Sequence, residues 1–322
     1  MENPELINRL RQHEHVENPG LDNHDQASTI EDSRVEYATS VGEDERYIQI
    51  MQAAIRDIEN VFAQVRAKRG IPLDNIERNL VPALSVLAKN MKLSSLMMHL
   101  QNKDDYTLRH SIAVGILSLL QGEWMKMDDR DQKSLLISGL LHDIGKAMMS
   151  DEILNKPEKL TDYEFKLMKK HTVFGYHLLE GTVGISHRQA LVALEHHERI
   201  DGSGYPLGIN GDKITLFSKI VAVSDVYHAM STVQVYRHAS PIYQVLSELQ
   251  HGEFGQFDHQ VIEVFINNMM ESLIGCSVQL STGQIGEIVW INPVNALRPM
   301  VKVGEEILDL SAIGSIYIAE LI

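Results

Sequence analysis

Seven side chains of metal-binding type, His110, His142, Asp143, His171, His196, His197 and Asp225, punctuate a helix-rich stretch of this 322-residue sequence. Neutral imidazoles and carboxylates are the donors that a borderline or hard divalent cation takes, and seven exceed what one ion usually accepts. The set therefore predicts two cations. A glycine-rich run, Asp201-Gly202-Ser203-Gly204-Tyr205-Pro206, lies among them. Read alone, any one of the 15 histidines is better explained as an ordinary core or surface residue. Position changes that reading: His142-Asp143 ends the apolar run Leu135 to Leu141, and Asp225 lies inside Ile220 to Val226. Burying such polar groups without partners is costly, so several of them on separate apolar helices predict one shared site.

The elements that must position these groups are helices. Apolar residues recur every three or four positions from about Glu45 to Arg69, the helical period. Further helices are expected over Leu73 to Met91 with Pro72 in its first turn, Ser94 to Leu100, Asp104 to Leu120, and Asp131 to Ile144 with Gly145 as terminator. Thr161 with Glu164 forms a capping box that opens a helix through His171 to Leu179, and Ser186 with Gln189 repeats it ahead of His196-His197. Thr215, Ser240-Pro241 and Asp258 open three more. After Gly275 the pattern turns to alternating or β-branched segments, Val278 to Leu280, Ile285 to Ile291, Met300 to Val303 and Ile316 to Ile318. These predict a small four- or five-stranded barrel-like unit.

The formal net charge is −15, and residues 1–45, with 12 acidic against 3 basic side chains, supply −9 of it. Such a segment is expected to stay disordered, and the acidity argues against a nucleic-acid polymer as partner. A small anionic ligand remains open, because a metal site inverts the local field. One cysteine, Cys276, precludes an intramolecular disulfide; the sequence shows no signal peptide and no apolar run that would span a bilayer, so a cytoplasmic protein without membrane attachment is expected.

Tyr106-Thr107 with His110-Ser111, His142-Asp143-Ile144-Gly145-Lys146, His171 with Gly175, His196-His197-Glu198, Asp201 to Pro206 and Asp225, in this order, resemble the HD-GYP family over about residues 95–260. The resemblance implies an all-helical phosphohydrolase domain, 46–272 with its lead-in helices, followed by the β unit at 275–322. It implies a two- or three-metal centre and cyclic di-GMP as typical substrate. The basic ligand set of the wider superfamily falls on His110, His142, Asp143 and Asp225, and the additional ligands on His171, His196 and His197. Some members hold a third metal through a glutamate four residues before the first histidine. Tyr106 stands there, which favours two, iron or manganese.

Two such cations, bridged by Asp143, would acidify a water for in-line attack at phosphorus. Lys146 would steady the phosphoryl oxygens, and Gly202, Gly204, Tyr205 and Pro206 would form a recognition surface. His99, His177, His187, His228, His238 and His251 match no motif and are expected to be structural or surface residues. The chain departs from its relatives at Asp225-Val226-Tyr227-His228-Ala229, where many read Asp-x-x-Asp-Ala, and at Gln234-Val235-Tyr236-Arg237, where Arg-Pro-Tyr-Arg is usual. One phosphate-facing arginine is thereby missing, while Arg237 remains for substrate. The expected function is a phosphodiesterase that converts cyclic di-GMP to linear pGpG, GMP or both. The alternatives are a catalytically slow cyclic di-GMP receptor, signalling to protein partners through the β unit or acidic tail, and a phosphodiesterase for another cyclic dinucleotide such as cyclic GMP-AMP. Homodimerisation is compatible with either.

Overall fold

The computed structural model describes residues 43–91, 93, 96, 100, 106–232, 242–251 and 256–322. The acidic segment up to residue 42, most of the expected helix Ser94 to Leu100, and Gln234 and Arg237 lie outside the described residues. From Gly42 to Ile322 the chain clusters as one compact unit, mainly helical and closed by a small sheet.

Helix α1, Glu43–Arg66, buries Met51, Ala54, Ile55, Ile58, Val61 and Val65, the stripe that its period requires. The expected helix from Leu73 is interrupted. A short turn Leu73–Asn75 runs into a π-helical turn Ile76–Leu80 before α2, Val81–Asn90. Pro82 has no N–H to return to the Arg78 carbonyl, and the wider turn sits immediately ahead of it. Helix α3, Tyr106–Trp124, is buried on every side from His110 to Gly122, as a central helix must be. Helix α4, Asp129–Leu141, packs along it, its N-terminus capped by the Asp128 carboxylate accepting from the Asp131 N–H.

The helix expected across Thr161 to Leu179 divides into α5, Asp162–Met168, and α6, Lys170–Glu180. The capping box at Thr161 and Glu164 is present in both directions. At the break, side chains take the carbonyls: His171 Nδ1 lies 2.7 Å from Met168 O, and Thr172 Oγ1 donates to Lys169 O at 2.9 Å. Helix α7, His187–Glu195, follows the second capping box; α8, Leu216–Ser231, starts at Thr215; α9 and α10 span Ile242–His251 and His259–Glu271.

Five antiparallel strands follow: β1 Ser277–Leu280, β2 Ile285–Trp290, β3 Met300–Val303, β4 Glu306–Asp309 and β5 Ile318–Leu321, in sheet order β4-β3-β2-β1-β5. Strand β4 was not among the expected segments: its polar ends Glu306 and Asp309 mask a two-residue apolar core, Ile307-Leu308. The final strand begins at Ile318, two residues later than the β-branched run. The buried side chains Val278, Ile288 and Val301 line one face of the sheet. Among the described residues, no helix is long and apolar enough to cross a membrane.

Candidate metal centre

All seven candidate ligands converge, although they come from α3, the end of α4, the first turn of α6, the end of α7 and the middle of α8. Three overlapping groups can each hold a metal ion: Asp143, His171, His196 and His197; His110, His142 and Asp143; and His142, His196 and Asp225. Within each group one donor atom per residue lies within 4.8 Å of the others. His197 is the most open member, and the other six are buried.

Asp143 stands between the groups. Its Oδ1 is 3.3 Å from His171 Nε2 and 3.8 Å from His196 Nε2, while its Oδ2 is 3.3 Å from His142 Nε2. Asp225 Oδ1 is 3.0 Å from His110 Nε2, and its Oδ2 is 3.9 Å from His197 Nδ1. The helix expected to run to Ile144 stops at Leu141, because the His142 ring takes the Gly139 carbonyl at 2.7 Å. Asp143 then leaves helical geometry, at φ −99° and ψ 9°, before a 3-10 turn over Ile144–Met148. This kink aims the carboxylate into the centre and leaves Lys146 one short turn away, paired with Asp143 Oδ2.

The imidazoles are oriented by their own helices. Nδ1 of His142 faces Gly139 O, Nδ1 of His171 faces Met168 O, and Nδ1 of His196 lies 3.1 Å from both Val192 O and Ala193 O. A carbonyl accepts only, so each of these rings carries its proton on Nδ1 and turns the Nε2 lone pair inward. His142 Nε2 and Asp143 Oδ1 are buried without a hydrogen bond. Orphaned acceptors of this kind at the focus of a donor cluster fit a cation, which would be their missing partner.

Charge states favour the same outcome. Burial pushes the Asp143 carboxyl up, but Lys146, His142 and His171 together hold it well below the ordinary carboxylate value. Asp225 likewise resists burial through the hydrogen bond and charge of His110 and is held below its ordinary value. Burial lowers His171, lowers His196 strongly with help from neighbouring imidazoles, and brings His197 to about 3. His142 moves the other way: burial lowers it, but Asp143, Asp225 and the Gly139 carbonyl together raise it above its ordinary value. Near neutrality the centre thus offers anionic carboxylates and mostly neutral imidazoles, the forms that ligate.

The glycine-rich loop is tied to the centre by Glu198, whose carboxylate accepts from the backbone N–H groups of Leu207, Gly208 and Ile209 at 2.6, 3.1 and 3.1 Å. A Cβ on Gly204 would lie 2.4 Å from Glu198 Cα, so the loop folds flat against His197-Glu198 only with glycine there. Tyr205 is thereby brought over His197, ring centroids 4.7 Å apart, and Pro206 follows it; Gly202 takes φ +80°. Glu198→Ala should release this loop: the amides of Leu207, Gly208 and Ile209 are expected to lose hydrogen-exchange protection, because bonds to a charged acceptor contribute about 1.5–3 kcal/mol each. Unchanged protection at all three would contradict the role given to Glu198.

Three features escaped the sequence reading. Lys169 holds its ammonium 4.6 Å above the Tyr205 ring and 4.9 Å above that of Phe165, at the rim beside His197. Its position two residues before His171 was the available signal. Glu195 accepts from the N–H and hydroxyl of Thr215, both at 3.0 Å, joining α7 to the start of α8. His228, grouped with structural or surface histidines, is 1% exposed and touches a candidate ligand directly, its Nδ1 lying 3.0 Å from His110 Nδ1. The spacing of three from Asp225 puts both on one face of α8.

The HD domain family matches residues 94–261, just over half of the chain, and the chain belongs to that family, in its HD-GYP type. A cyclic di-GMP phosphodiesterase, PA4108, of Pseudomonas aeruginosa is 36% identical over 219 residues, 68% of this chain and 52% of that protein. A 3'3'-cGAMP-specific phosphodiesterase 1 of Vibrio cholerae is 34% identical over 186 residues, covering 56% of this chain and 42% of that protein. A cyclic di-GMP phosphodiesterase of Thermotoga maritima is 37% identical over 54% of this chain and 48% of its own length. The chain thus spans about half the length of the curated relatives it matches. Bd1817, an HDG"Y"P protein from Bdellovibrio bacteriovorus, shares the fold with a TM-score of 0.58 at 18% identity, over 73% of this chain and 75% of that one.

Proposed function

We propose that this chain is a two-metal phosphodiesterase that hydrolyses cyclic di-GMP to linear pGpG, GMP or both. The observation that carries the reading is Asp143, whose two oxygens address separate donor groups. His171, His196 and His197 with Asp143 would hold one cation, and His110, His142 and Asp225 with the same carboxylate the other. Iron and manganese suit the mixed nitrogen and oxygen donors. The names of the relatives from Pseudomonas and Thermotoga support cyclic di-GMP as substrate.

When bound, the cations supply Lewis acidity towards a water and a phosphoryl oxygen. The chain's own part is positional and electrostatic. Asp143 and Asp225 hold negative charge in a buried site, where such charge acts strongly on neighbouring groups. Lys146 is about a quarter exposed, within reach of both Asp143 and solvent, and places an ammonium where phosphoryl oxygens gain charge. Tyr205, with Gly202, Gly204 and Pro206 shaping its loop, presents a ring beside His197 for stacking, and Arg237 provides a cation for phosphate.

Elemental analysis of anaerobically purified protein is expected to give two metal ions per chain; a reproducible three would overturn the assignment. Lys146→Ala should retain both metals and slow hydrolysis by about 10²-fold, the scale for removing one electrostatic stabiliser. An unchanged rate at saturating substrate would leave Lys146 a purely structural partner of Asp143. Gln234, in place of the usual arginine, and the relative named for cGAMP favour cyclic GMP-AMP as the second substrate reading. Chromatography of products from both dinucleotides, with the metal-loaded chain, decides between them: cyclic di-GMP should be turned over faster, and turnover of neither would sink the proposal.

A further inference from the structure

His110 differs from the other imidazoles that turn Nε2 into the centre. Nδ1 of His142, His171 and His196 meets a backbone carbonyl, which admits only one tautomer. Nδ1 of His110 instead meets Nδ1 of His228 at 3.0 Å, and an imidazole nitrogen can either donate or accept. The contact alone leaves two arrangements open. A cation at the centre decides between them. It needs the lone pair of His110 Nε2, in the group that residue shares with His142 and Asp143, which leaves the ring proton on Nδ1. His228 Nδ1 must then accept at 3.0 Å, and the His228 proton lies on Nε2, 3.3 Å from Thr232 Oγ1, a hydroxyl able to accept it. Without a cation, Asp225 Oδ1 at 3.0 Å from His110 Nε2 favours the opposite arrangement.

We infer that His228 is a positioning residue that holds His110 in its metal-binding tautomer, through a proton chain running from His110 Nδ1 to His228 and on to Thr232. The chain is buried throughout: His110, His228 and Thr232 are 4%, 1% and 0% exposed, so water does not substitute for a missing member. Tyr106 stacks on His110 at 5.5 Å between centroids and lies 6.4 Å from His228, which holds the ring plane. This inference rests on the metal-centre reading above and adds to it which group outside the ligand set governs metal affinity.

The test compares His228→Leu, which fills the volume without an acceptor, with His228→Asn, whose amide oxygen replaces the Nδ1 lone pair. Mn2+ affinity is measured by chelator competition on metal-free full-length protein, with circular dichroism as the check on folding. The leucine variant should bind Mn2+ 10- to 100-fold more weakly, the range known for losing a partner behind a metal-ligating histidine, and the asparagine variant should recover most of it. Leucine binding as tightly as the parent would overturn the inference. Should the leucine variant not fold, nitrogen-15 NMR of the Zn2+-loaded parent decides instead: a proton on His228 Nε2 upholds the chain and one on His228 Nδ1 overturns it. A parent that fails to bind Mn2+ at all would refute the metal-centre reading itself, which is a different result.

Discussion

Asp143→Ala is expected to abolish phosphodiester hydrolysis and to strip the protein of metal. The carboxylate belongs to two of the donor groups, with one oxygen towards His171 and His196 and the other towards His142, so its loss removes a candidate ligand from each at once. It also removes the counter-charge that holds Lys146 and raises His142. Truncating one partner of a buried charge pair costs about 3–5 kcal/mol, because the remaining charge is left buried and uncompensated. Folding should nonetheless survive, because Lys146 is partly exposed and its ammonium can turn to solvent. Metal analysis, product chromatography and thermal melting on one preparation check the three parts. Near-normal hydrolysis with both metals retained would show that the centre is elsewhere.

Gly145→Ala is the second large effect, and it acts through the backbone. A Cβ at this position would lie 1.9 Å from the His171 carbonyl oxygen and 2.5 Å from the Gly175 nitrogen, neither of which can rotate aside. The 3-10 turn and α6 must separate, carrying His171 away from Asp143. Overpacking of this kind costs about 1–3 kcal/mol and often more against main chain. In a domain of this size about 1 kcal/mol corresponds to roughly 2–4 °C in Tm, so a drop of several degrees is expected, together with weakened metal binding. A variant with parental Tm and metal content would show that the turn and α6 do not approach as closely as described.

The convergence of the candidate donors was legible in the sequence because these residues violate the pattern around them. His142-Asp143 and Asp225 interrupt runs of apolar residues, and polarity inside an apolar run has few explanations other than a shared partner. Helix starts were legible for a similar local reason: Thr161, Ser186, Thr215 and Asp258 satisfy N–H groups two or three residues away, an interaction contained in the sequence window. The break between α5 and α6 was not, since it depends on His171 and Thr172 competing for carbonyls that an uninterrupted helix would use. Strand β4 was hidden because its pairing with β3 is stated in backbone hydrogen bonds, while its side chains are largely exposed. Glu198 and His228 share a different difficulty. Their partners are main-chain amides nine to eleven residues away and an imidazole 118 positions away, which no local spacing reveals.

Because the candidate ligands come from five separate segments, between His110 and Asp225, the centre has no counterpart in any short stretch of the chain. An unfolded molecule offers scattered donors, each too weak to retain an ion alone. A cation held only by the folded form shifts the folding equilibrium towards it, by about 2.7 kcal/mol when the free ion is at a hundred times its dissociation constant. The surrounding metal supply thereby becomes a control on how long the polypeptide survives proteolysis, quite apart from any turnover. Starvation for the ion should shorten the protein's lifetime as well as silence it.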